Sequence, residues 1–291
     1  MDEDLDNKVN THGGRLEAIL FFSGLLSVAI ILLAGAYRIW TFIPKAESYF
    51  ELGRAFYGKG RMNEAIEALD RAIKLKPGYE KAWVVKGVVL DEMGRYGEAM
   101  EAYDTAIGIK PDDPFAWYNK GSTFGHMGRP EDAIPAFEKA IILNHDFADA
   151  WMSRGVALSE LGRHMEAVWS YNMAIEIKPD YIRAWFNKGN SLFELGRYED
   201  AVSAYDKAVE LKPGYAEAWY GRGAALYKLG RYGEALSSYD KAIGIRPDYE
   251  EAWYGKGLSL YGLGRKEEAR RALDRTLKAR PEDLMPKVKK D

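Results

Sequence analysis

The chain has 291 residues, of which 47% are hydrophobic and 29% charged, with a formal net charge of -3. That composition argues for a packed core rather than disorder, and the near-balance of charge removes the concentrated positive surface that nucleic-acid binding requires. The sequence contains no cysteine, which excludes disulfides, thiolate metal sites and cysteine nucleophiles.

Residues 1–17 form an acidic N-terminal tail with Asp2, Glu3, Asp4, Asp6 and Glu17. From Ala18 to Tyr37 no residue carries a formal charge. At ~1.5 Å per residue such a run spans ~30 Å, the thickness of a bilayer's hydrocarbon core. Tyr37, Trp40 and Phe42 form an interfacial belt at its end, and Pro44 stops the segment. The expectation is a single transmembrane helix over 18–43. A buried core helix and a cleaved signal peptide, with Ala34-Gly35-Ala36 as a small-residue site, are the alternatives. Lys8 and Arg15 precede the span, while Arg38, Lys45, Arg54 and Lys59 lie on its C-terminal side. This bias favours a cytoplasmic location for the C-terminal side, with an external location as the other possibility. Ser23 and Ser27 form a small-xxx-small pair through which two such helices could make a homodimer.

Beyond the segment, Trp83, Trp117, Trp151, Trp185, Trp219 and Trp253 recur every 34 residues, with Tyr49 one period earlier. Seven units fit: 46–79, 80–113, 114–147, 148–181, 182–215, 216–249 and 250–283. A period of this length signals a solenoid of stacked supersecondary units. Each unit reads as two helices. Trp83, Gly87 and Leu90 share one helical face, Gly94 stops that helix, Ala99, Tyr103 and Ala106 share a face of the next, and Pro111 blocks its continuation. Small residues on the two helices, such as Gly87 and Ala99, predict close approach.

In its Trp, Gly, large apolar, Ala, aromatic, Ala and Pro positions, as in Trp185, Gly189, Leu192, Ala201, Tyr205, Ala208 and Pro213, the array resembles the tetratricopeptide repeat family. The resemblance implies an all-α, right-handed superhelical solenoid of seven helix-turn-helix repeats over 46–283, its first helices lining a concave groove that binds a peptide or a partner's helix. The third unit departs from the pattern with His145 in place of proline and with Pro130 and Pro135 near its second helix. Pro135 is expected to kink that helix. The more polar seventh unit, with Lys266 and Arg270, reads as its own cap. Residues 284–291 form a basic tail.

The resemblance places the residue after each tryptophan in the groove, giving Phe50, Tyr118, Met152, Phe186, Tyr220 and Tyr254, and the row seven further on contributes Tyr57, Phe193, Tyr227 and Tyr261. Asn187 and Asn190 lie between the rows, where an amide could pair with a peptide backbone. The competing reading is that these rings only pack the groove wall. The clamp that some members use for a chaperone's C-terminal carboxylate is not matched, because no unit has lysine directly after the large aromatic and Asn190 is followed by Gly221 and Glu251.

No G-x-x-x-x-G-K-[ST], H-E-x-x-H or G-x-S-x-G motif occurs, and His12, His126, His145 and His164 stand singly. The sequence therefore reads as a membrane-anchored, non-catalytic interaction scaffold that takes a protein partner, without a cofactor, metal or small-molecule substrate. An envelope or secreted assembly factor and a regulatory subunit of a membrane enzyme are the alternatives. A fragment from Ala46 onward is expected to fold alone as an almost wholly helical monomer. Circular dichroism showing substantial strand, or melting without cooperativity, would refute it.

Overall fold

In the computed structural model residues 45–276 are described, and they form 14 α-helices with no strand among them. They belong to two compact units, Met1–Ala82 and Trp83–Asp291. In the first, α1 (Ala46–Tyr57) pairs with α2 (Met62–Leu75), and α3 (Glu80–Glu92) begins at its end. The second unit takes in the rest of α3, then α4 (Tyr96–Ile109), α5 (Pro114–His126), α6 (Pro130–Leu143), α7 (Ala148–Glu160) and α8 (His164–Ile177). It continues with α9 (Ile182–Glu194), α10 (Tyr198–Leu211), α11 (Ala216–Lys228), α12 (Tyr232–Ile245), α13 (Glu250–Gly262) and α14 (Lys266–Thr276).

The apolar spacing of each helix decides which face is buried. In α4, Ala99, Ala102, Tyr103 and Ala106 recur at helical period and all are buried. The turn inside each pair has one form. Gly60, Gly94, Gly128, Gly162, Gly196, Gly230 and Gly264 all adopt a positive φ between 68° and 76°, a region closed to most side chains. At Gly94 the N–H donates to Asp91 O and the next N–H, from Arg95, reaches back to Leu90 O, each at 2.9 Å. Two of the four orphan carbonyls of the helix end are thereby satisfied. The arginine after each such glycine then pairs with an acid in the first turn of the next helix, as in Arg163 with Glu166 at 2.7 Å. These pairs are exposed and contribute little to stability.

Close approach of the two helices depends on the other glycine row. A Cβ on Gly189 would lie 2.7 Å from the Tyr205 ring, and one on Gly221 would lie equally close to the same ring. The buried Tyr205 therefore fills space that α9 and α11 both leave open. Tyr103, Phe137, Tyr171 and Tyr239 meet Gly87, Gly121, Gly155 and Gly223 in the same way. Leu69 plays the part against Gly53 in the first unit, and Leu273 against Gly257 at the end of the second.

Successive pairs are tied by the tryptophans. The indole N–H of Trp117, Trp185, Trp219 and Trp253 donates to the carbonyl of Pro111, Pro179, Pro213 and Pro247, at 2.9–3.0 Å. Proline stops the preceding helix, and its carbonyl anchors the next. His145 keeps this bond: its carbonyl accepts from Trp151 at 2.9 Å, and its ring stands edge-on to the indole. Pro135 lies inside α6, which runs from Pro130 to Leu143. The ring is on the exposed side, where water can reach the carbonyl that loses its donor.

The expected localisation, a single-pass membrane protein with its repeats toward the cytoplasm, is corrected. No helix among the described residues is long and apolar enough to cross a membrane. The longest have 14 residues, about 21 Å at the helical rise and short of the ~30 Å required. The segment 18–43, its expected span and its Ser23/Ser27 contact lie outside the described residues, as do the tails 1–17 and 284–291.

Gly189→Ala is expected to destabilise the chain by ~1–3 kcal/mol through overpacking against Tyr205, seen as a lower urea midpoint. Gly108→Ala meets nothing within 4 Å and should be neutral or stabilising by up to ~1 kcal/mol. Trp185→Phe, which removes the donor to Pro179, should cost ~1 kcal/mol. An unchanged midpoint would show that the indole N–H adds nothing beyond the ring.

Candidate functional site

Within the second unit, the first helices α5, α7, α9, α11 and α13 each touch the next in the series, whereas the second helices pack on first helices only, among the described elements. The first helices thus form the inner side of this unit. The residue after each tryptophan lies on them, but the row is not uniform. Met152 is buried at 5% exposure, with Asn187 Nδ2 directed at its sulfur. Tyr118, Phe186, Tyr220 and Tyr254 are half-buried. In the first unit Phe50 is buried against Tyr79, with ring centroids 5.1 Å apart, while Tyr57 is half-buried.

A third aromatic row was not among the predicted residues. Tyr118, Phe186 and Tyr220 each lean on the last residue of their own unit, Phe147, Tyr215 and Tyr249, at 4.9–5.2 Å between centroids. The same rings lie 5.9–6.0 Å from Phe137, Tyr205 and Tyr239 below them. The 34-residue period of Phe147, Tyr181, Tyr215 and Tyr249, with Tyr79 two periods earlier and Asp113 between, carried this signal and could have revealed it. The other predicted row is also buttressed: Phe193 packs on Tyr198 at 5.3 Å and Tyr227 on Tyr232 at 5.4 Å. Tyr261 stands open at 65% exposure.

Four predicted residues come together. Phe186, Asn190, Phe193 and Tyr220 line one cavity of about 350 Å³ with Tyr205, Glu194, Glu217 and Tyr249. Tyr205 donates its hydroxyl hydrogen to Asn190 Oδ1 at 2.7 Å. That bond fixes the amide and leaves its NH₂ to donate into the cavity. Tyr118 and Met152 border a second hollow of about 520 Å³ with His126, Asp149, Tyr181 and Arg183. Here Tyr181 donates to Asp149 at 2.6 Å, and His126 Nδ1 lies 2.8 Å from Asp91. The remaining predicted residues of this unit, Asn187, Tyr227, Tyr254 and Tyr261, border neither hollow.

Burial pushes the Tyr220 phenol up, helped by the Glu251 charge, and raises Tyr215 with help from Glu217. Tyr249 is pushed up to about 12, by burial first and then by Tyr220, Glu217 and Glu251. Burial also works to raise Glu217, but the hydrogen bond from Arg246 and its own backbone N–H outweigh it and hold the carboxyl below its ordinary value. At neutral pH the cavity therefore offers protonated phenols and an ionised rim. Protonated phenols of this kind bind by packing and hydrogen bonding. No group of three or more His, Asp or Glu residues that could hold a metal occurs among the described residues.

Family models described as tetratricopeptide repeat match residues 29–80, 50–114 and 186–250, with further models matching 114–147 and 226–287, and one described as TPR repeat matches 158–196. No curated protein matches the sequence. Among solved structures, YrrB, described as a TPR protein with an unusual peptide-binding site, is 26% identical with a TM-score of 0.59, covering 66% of this chain and 98% of its own. A tetratricopeptide repeat protein from Parabacteroides merdae is 18% identical, with a TM-score of 0.60 over 82% of this chain and 94% of its own. PilW, a type IV pilus biogenesis factor, is 19% identical with a TM-score of 0.63, covering 71% and 96%. The last two show likeness of fold. With more than half its length matched and the paired helices, turn glycines and tryptophan ties in place, this chain belongs to the tetratricopeptide repeat family.

Proposed function

We propose that the protein is a non-catalytic interaction scaffold whose seven 34-residue units, 46–283, present an extended peptide-binding face on the first helices. The observation that carries this reading is the cavity between Phe186 and Tyr220. It has aromatic walls, a fixed amide at Asn190 and space of about 350 Å³, enough for one apolar side chain of a partner with its flanking backbone. Half-buried rings held by neighbours are already ordered, so a ligand that packs on them loses little side-chain freedom. Asn190 Nδ2 can donate to a peptide carbonyl, which suits recognition of main chain rather than of one side chain. The peptide-binding site described for YrrB supports the class of partner.

The buttressing also sorts the candidate residues. Phe50 and Met152 are buried and serve the wall. Phe186, Asn190, Phe193 and Tyr220 form the pocket, and Tyr254 and Tyr261 extend the face toward the last pair. Energy in such interfaces concentrates in a few aromatic anchors.

A photo-crosslinking residue at position 193 of the full chain should capture the partner by its contact with the pocket. Against that partner, Phe186→Ala with Tyr220→Ala should weaken binding about thirtyfold, or ~2 kcal/mol, with helical circular dichroism unchanged. Equal affinity in the double variant would remove the pocket as the binding site.

A further inference from the structure

In the second unit each first helix carries a cation three residues after its tryptophan, and this cation points toward the second helices. Lys120 pairs with Asp104 at 2.5 Å, and Lys256 with Asp240 at 2.6 Å. Arg154 reaches Glu138 at 2.8 Å and donates to Ser170 Oγ at 2.7 Å. Arg222 does the same with Asp206 at 2.6 Å and Ser238 Oγ at 2.7 Å. In these four the partner is always the carboxylate sixteen residues earlier, on the second helix of the preceding pair.

Lys188 breaks the series. Sixteen residues before it stands Asn172, and where Arg154 and Arg222 find a serine there is Ala204. Its ammonium lies 5.0 Å from the centroid of Trp185. Burial pulls it below the usual lysine value, while the more distant Asp200 works upward and Arg197 downward. A cavity of about 370 Å³ opens beside it between α8, α9 and α10, walled by Val168, Asn172, Trp185, Leu192 and Ser203, with Asp200 also in its lining. It shares no residue with the aromatic cavity. The other cations at its rim are engaged, Arg197 with Asp200 at 2.6 Å and Lys207 with Glu210 at 2.7 Å.

Helix α8, which supplies Asn172, also carries the exposed Met165 and Trp169, at 59% and 51% exposure. Residues 165, 169 and 172 are spaced by four and three, so they share one face of α8. Trp169 is held edge-on against Trp151 at 4.9 Å, with Arg154 above its ring. The equivalent positions on α10 and α12 are Ser203 and Ser237.

We propose that this cavity receives a carboxylate side chain of a protein partner, carried on an apolar segment that lies along Met165 and Trp169. The group required is the one that Lys120, Arg154, Arg222 and Lys256 already hold. Lys188 has no paired carboxylate in a cavity whose one acidic lining residue, Asp200, is engaged by Arg197, which suits a single carboxylate on a peptide. Desolvating that pair strengthens it relative to a pair in open water, and the half-buried Lys188 with an exposed tryptophan on the helix that lines its cavity has the composition of an interface anchor.

The test uses the full chain with ¹³C-labelled lysine, the Lys188 signal being assigned by its loss in Lys188→Met. The probes are a short leucine-rich peptide with one central glutamate, its glutamine counterpart, and inorganic phosphate. The glutamate peptide should shift the Lys188 signal saturably and bind at least about tenfold more tightly than the glutamine peptide. Asn172→Asp supplies the missing carboxylate internally, so it should raise the Lys188 pKa and weaken the glutamate peptide by a similar factor. Phe186→Ala with Tyr220→Ala should leave this binding unchanged. Equal binding of the two peptides, no effect of Asn172→Asp, or a phosphate shift matching the peptide's at equal concentration would each overturn the proposal.

Discussion

Where α9 and α11 pass the Tyr205 ring, neither helix has room for a single methyl group. Most of the architecture of the second unit depends on that constraint. An aromatic ring on each second helix from α4 to α12 is lodged against a glycine on its own first helix, and Tyr205 and Tyr239 also against one on the next. Such a ring belongs to two pairs at once, and its burial can be completed only by the neighbour. One hairpin alone leaves half of that surface in water, which is why such units are stable only as stacks. The tryptophan bond to the preceding carbonyl sets the spacing between pairs, and the glycine turns set the angle within each pair.

The candidate site derives from the same geometry. Phe186 and Tyr220 lie directly above the packed rings of Tyr205 and Tyr239, and Tyr215 and Tyr249 support them from the side. The face that a partner would meet is continuous with the core. Its rings are positioned by packing before any ligand arrives, and the Tyr205 hydroxyl, otherwise a buried polar group, is used to orient Asn190. One residue thus links stability to recognition.

Much of this was legible in the sequence. The tryptophan period, the two glycine rows and the alanine row set the helix pairs, and the structure places small residues against large ones where the pattern put them. Less legible was anything that depends on which rings touch. Phe50 and Met152 occupy the same repeat position as Phe186 and Tyr220, yet they are buried, because that depends on neighbours in three dimensions. The aromatic residues that end five of the units, Tyr79, Phe147, Tyr181, Tyr215 and Tyr249, follow the repeat but sit in a turn, where apolar periodicity gives no sign of burial. Pro135 stands on the exposed side of its helix, which the sequence position alone did not give. A long uncharged run suggests a membrane span, but hydropathy reports only on its own segment, and the described helices are short. The role of Lys188 becomes visible only once its neighbours' partners are known.

The tie between consecutive pairs is made to a main-chain oxygen, which every residue type possesses. His145 illustrates the freedom this allows: the ring changed and the bond stayed. Because the junctions at Trp117, Trp151, Trp185, Trp219 and Trp253 share this main-chain bond, removing or duplicating one whole 34-residue block between them would rejoin ends that carry the same tie. The length of the array can therefore change in whole steps without a new packing solution, and a lineage could match its reach to a longer or shorter partner by copying or losing blocks.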